Sequence, residues 1–75
     1  MQRRGREVAE GQRYQKIGKG GGSWEVVAVR TDSGGAVHAR MRSLIEPTTF
    51  RTFAVEAVLD LRNFRLIEEP TGLLR

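Results

Sequence analysis

No cysteine occurs in the sequence, so neither disulfides nor thiolate metal sites can staple the fold. That absence suits a reducing compartment, and a cytoplasmic location is the expectation. Proline is scarce as well: Pro47 and Pro70 are the only two, and the 22 positions from Thr48 to Glu69 contain neither proline nor glycine. No apolar run approaches the ~18 residues that span a membrane, and the basic start from Met1 to Arg6 is not followed by the apolar stretch of a signal peptide. Aromatic residues are few: three Phe, one Trp and one Tyr, enough for one small core and little else.

The 75 residues fit one small domain, which buries only about 60–65% of the surface its unfolded chain exposes. Thirteen Lys and Arg against nine Asp and Glu leave a net charge of +4 and a pI near 10.7. Twelve of the thirteen basic side chains precede Leu66, whereas Glu68 and Glu69 lie near the end. This excess makes a polyanion such as nucleic acid a better partner than a basic surface.

Trp24 to Ile45 organises the chain. Trp24 to Arg30 is rich in β-branched and aromatic residues, Thr31-Asp32-Ser33-Gly34-Gly35 is a turn, and Ala36 to Ile45 alternates. Two strands joined this way predict a β-hairpin. In the first run both parities are apolar, as in a strand buried on both faces or bent to serve two sheets. In the second, Val37, Ala39, Met41 and Ile45 share a face, and His38, Arg40, Arg42 and Leu44 share the other.

Upstream, residues 1–10 are mostly charged and read as a flexible basic tail in which Arg3, Arg4 and Arg6 could touch phosphates. Gly11 to Ile17 predicts a short strand anchored by Tyr14. Gly18-Lys19-Gly20-Gly21-Gly22-Ser23 lacks the spacing and following helix of a phosphate-binding loop, and reads as a flexible connection. Downstream, Glu46 to Thr49 is a turn and Phe50 to Val55 a fourth strand, with Phe53 inward and Phe50 beside the basic row. Arg51 falls on the core parity, its stem on apolar surface and its head in water. From Ala54 to Glu68 one continuous helix competes with a helical turn over Glu56 to Asp60 followed by a strand over Arg62 to Ile67. The second reading is preferred. Residues 11–69 then form one domain and 70–75 a C-terminal tail, with Trp24, Val37, Met41, Phe53, Leu59 and Phe64 as the expected core.

Four strands, a helical turn and a fifth strand make an all-β fold. Its pattern of Gly-x-x-Tyr, Trp-x-Val, His-Ala-Arg-Met, Phe-Ala-Val-x-x-Val-Leu-Asp and a final Phe resembles small bacterial SH3-like barrel proteins of uncharacterised function, and more distantly Tudor and KOW domains. The resemblance implies a five-stranded SH3-like small barrel with one helical turn before the last strand. It carries over no functional residue: neither the aromatic cage of a methyl-lysine reader nor the acidic loop and aromatic groove of a proline-peptide binder is present.

Catalysis finds little support. His38 is the sole histidine, no thiol can partner it, and Ser23, Ser33 and Ser43 have no base nearby in sequence. Asp32, Glu46, Glu56 and Asp60 lack metal-ligand spacing, so neither metal nor cofactor is expected. The expectation is a monomeric, non-enzymatic binding module. His38, Arg40, Arg42 and Phe50, with Lys16, Lys19 and Arg30, are the candidate contacts to single-stranded nucleic acid. The alternative is a protein-interaction module docking through a strand edge or through apolar surface around Phe50 and Leu44.

Overall fold

The structure, a computed structural model, describes residues 7–70. Strands β1 (Arg13–Lys16), β2 (Gly22–Thr31), β3 (Val37–Ser43) and β4 (Phe50–Ala54) lead into a single helical turn, α1 (Val55–Leu59), and a last strand, β5 (Phe64–Glu68). All pairings are antiparallel, in the order β4-β3-β2-β1-β5. The expected element order is therefore observed, and the continuous helix from Ala54 to Glu68 does not form. Closure is a different matter. β4 and β5 are the two edges and the sheet does not close into a hydrogen-bonded ring; α1 connects them and packs against β3, β4 and β5. Among the described residues no helix is long and apolar enough to cross a membrane.

The double apolar parity of β2 has a local cause. Its register on β3 shifts between Val26 and Ala28, so Val27 is an extra residue and the inward phase changes across it. Trp24 and Val26 face inward before the bulge, opposite Ser43 and Met41; Val29 faces inward after it, opposite Ala39. Asp32 closes the hairpin: its Oδ1 accepts the Gly34 and Ala36 N–H groups at 2.8 and 3.0 Å.

The core consists of Tyr14, Trp24, Val26, Ala39, Met41, Val58 and Phe64. Edge-to-face contacts link its rings, from Tyr14 to Phe64 at 6.1 Å, Phe64 to Phe53 at 5.1 Å and Phe53 to Trp24 at 6.0 Å. Trp24, Met41 and Phe64 are buried as expected, and Phe53 is half-buried against the cluster. Val37 is a correction. It pairs with Thr31 at the far end of the hairpin, beyond the core, and 39% of it is exposed. Leu59 is only half-buried, because the short helix turns Val58 into the core instead.

Gln12, which shares the strand phase of Tyr14, is buried. Gln12 Oε1 accepts the Tyr14 hydroxyl and the Ala9 N–H, both at 2.9 Å, while Nε2 donates to the Glu7 carbonyl and to Glu69 Oε1. Its amide thus has four partners, which is what permits burial. Of the segment read as an N-terminal tail, residues 1–6 lie outside the described residues, and with them Arg3, Arg4 and Arg6. Residues 7–10 lie beside Gln12, with Val8 packed on the core. The C-terminal tail beyond Pro70 is likewise outside the described residues.

Candidate nucleic-acid interface

Register determines which cations meet. On β3, His38, Arg40 and Arg42 lie opposite Arg30, Ala28 and Glu25 of β2, and opposite Ala54, Thr52 and Phe50 of β4. All nine positions have the parity opposite to the core residues Ala39 and Met41, so they form the outer face of three strands. Arg30, His38, Arg40, Arg42 and Phe50, named from the sequence, are thereby brought together. Glu25 is the only carboxylate among those nine positions.

Arg40, Arg42 and His38 each have a definite neighbour. The Arg40 guanidinium stacks over the Phe50 ring, 4.5 Å from its centroid. Arg42 Nη2 donates to Glu25 Oε1 at 3.4 Å, and Arg13 reaches the same oxygen at 3.5 Å. The Arg42 Nε is buried without an acceptor among the described residues, so this guanidinium retains an unused donor. His38 Nδ1 lies 3.8 Å from Asp32 Oδ2, beside the hairpin turn. Phe50 remains 42% exposed under its arginine.

Lys16 and Lys19 are not on this face. Lys16 has the parity of Tyr14, and its Nζ sits 5.8 Å from the Phe64 ring centroid. Both lysines border a groove of about 480 Å³ at one end of the sheet, together with Trp24, Ile45, Arg51 and Phe53. The loops that frame it are built for close approach. Leu44 donates its N–H to the Ser23 carbonyl at 2.9 Å, and Ser43 Oγ accepts the N–H groups of Ile45 and Glu46. Gly22 has φ +112°, and a Cβ there would stand 3.1 Å from Ile45 Cδ1. The glycine run read as a plain connection therefore shapes one wall of the groove. Sequence periodicity had no means of finding it, since its residues come from four strands and two loops.

Among the described residues no group of three or more His, Asp or Glu side chains could hold a metal ion. Comparisons of the chain with protein-family models, with curated proteins and with solved structures give no match.

Proposed function

We propose that the protein is a non-catalytic binding module that holds single-stranded nucleic acid on the outer face of β2, β3 and β4. One observation carries this reading: the register gathers Arg30, His38, Arg40, Arg42 and Phe50 on one face with a single carboxylate among them. Side chains two apart along β3 stand ~7 Å apart, near the spacing of successive phosphates in an extended strand. Phe50 supplies a ring on which a base can stack for about 1–3 kcal/mol once Arg40 swings to a phosphate.

The test is titration of labelled single-stranded RNA and DNA at two salt concentrations, for the wild type and for Arg40→Ala/Arg42→Ala. Affinity should fall as salt rises, and the log–log slope should shrink by about 1.4 in the double variant, from ~0.7 per lost phosphate contact. Absence of binding at low salt, or binding indifferent to both arginines, overturns the reading. Absence of binding would favour a protein partner laid along the edge strand β4.

A further inference from the structure

We propose that the groove at the sheet end, away from the outer face, is a separate site for a mononucleotide, meaning a phosphate monoester that carries a planar ring. Three observations converge on it. Lys16, Lys19 and Arg51 border the groove, from β1, the β1–β2 loop and β4, against the single carboxylate of Glu46. Neither Lys19 nor Arg51 has a side-chain hydrogen bond or ion pair among the described residues. A surplus of two positive charges matches a phosphate dianion better than a carboxylate.

The second observation is an unsatisfied donor. Trp24 lines the groove and is only 7% exposed, yet its indole Nε1–H has no acceptor among the described residues. A buried N–H left without a partner costs free energy that an acceptor on a bound ligand would recover. Third, the remaining wall is apolar. Ile45 is 70% exposed and Phe53 half-buried, so a planar ring in the groove would cover surface now open to water. A volume of about 480 Å³ falls in the range of small-ligand sites. The phosphate would sit among the three cations, and the ring against Ile45 and Phe53 with an acceptor toward the indole.

Trp24 is the sole tryptophan, so its indole N–H gives one isolated signal in a nitrogen–proton correlation spectrum of the full chain. Uridine and adenosine 5′-monophosphates would be titrated up to about 10 mM, the reach of a weak small-ligand site. Uridine, inorganic phosphate and benzoate serve as partial probes. At least one nucleotide should move the indole signal, and each partial probe should bind about tenfold or more weakly, because each lacks one of the recognised parts. Lys19→Gln/Arg51→Gln, both on exposed side chains, should weaken nucleotide binding about tenfold while the rest of the spectrum keeps its dispersion. Arg40→Ala/Arg42→Ala should leave it unchanged, which separates this site from the outer face. No movement with either nucleotide overturns the proposal. So does benzoate binding equal to nucleotide, or binding that survives the groove variant.

Discussion

The outer face and the end groove are both cationic, but their charges are held differently. On the outer face Arg40 lies on Phe50, Arg42 and Arg13 share Glu25, and His38 stands beside Asp32. In the groove Lys19 and Arg51 stand free of side-chain partners among the described residues, above a tryptophan with an unused donor. A paired row presents an ordered, partly neutralised surface, suited to an extended polyanion that exchanges one set of contacts for another. An unpaired cluster around a cavity keeps its full charge for a compact ligand. Difference in commitment, more than difference in charge, separates the two regions.

The largest expected effect removes what both regions share. Phe64 is 2% exposed and contacts the rings of Tyr14 and Phe53, so Phe64→Ala should cost about 3–5 kcal/mol. With small domains holding little more than that, denaturant unfolding should find the variant largely unfolded. A variant that melted near the wild type would show that the two regions do not rest on one core.

Gly22→Ala acts on the groove side alone. Its φ of +112° and the approach of Ile45 predict a loss of about 1–3 kcal/mol, with spectral changes centred on Trp24 and Ile45 and an outer face left in place. Melting curves and a correlation spectrum check both parts. Gln12→Ala belongs to neither region and should cost about 1–3 kcal/mol by thermal unfolding, because it severs the links from the Tyr14 hydroxyl and Ala9 N–H to one buried acceptor.

Glu25→Gln should do little to stability, about 0–1 kcal/mol, since its ion pairs are partly exposed. It should nevertheless tighten single-stranded RNA binding at low salt, by freeing Arg42 for phosphate while Arg13 keeps its pair to Glu68. Unchanged or weaker affinity would mean that the pairs on the outer face organise the arginines instead of restraining them.

The smallest effect lies in the turn before β5. Asp60 accepts the side-chain and backbone N–H groups of Arg62, and these bonds, the side-chain ones first, lower its pKa from 3.8 to about 2. A carboxylate depressed on folding stabilises fully above its unfolded pKa and loses that contribution as pH falls through the folded one. Thermal melts should therefore show a small loss between pH 4 and 2 that is absent in Asp60→Asn.

Periodicity made the outer face legible, because strict alternation from Val37 to Ser43 puts every second side chain on one side whatever the strand pairs with. The hairpin turn and the helical turn before the last strand were legible for a similar reason: each is written in local residues. Val37 misled, since alternation continues past the point where other strands cover the sheet. The helix phase that buries Val58 rather than Leu59 depends on how one turn docks, which five residues do not encode. The bulge at Val27 showed as a run apolar on both parities, which a strand buried on both faces would equally have explained. The groove was invisible because Lys16, Lys19, Trp24 and Arg51 share no period, and only the pairing of β1 with β2, β2 with β3 and β3 with β4 assembles them.

Amide and side-chain shift mapping with a short single-stranded RNA at low salt tests the outer-face assignment most directly. The predicted result is a contiguous set of changes at Arg30, His38, Arg40, Arg42 and Phe50 that collapses in Arg40→Ala/Arg42→Ala and fades as salt is raised. Changes confined to α1 and β5, or none at all, would contradict it.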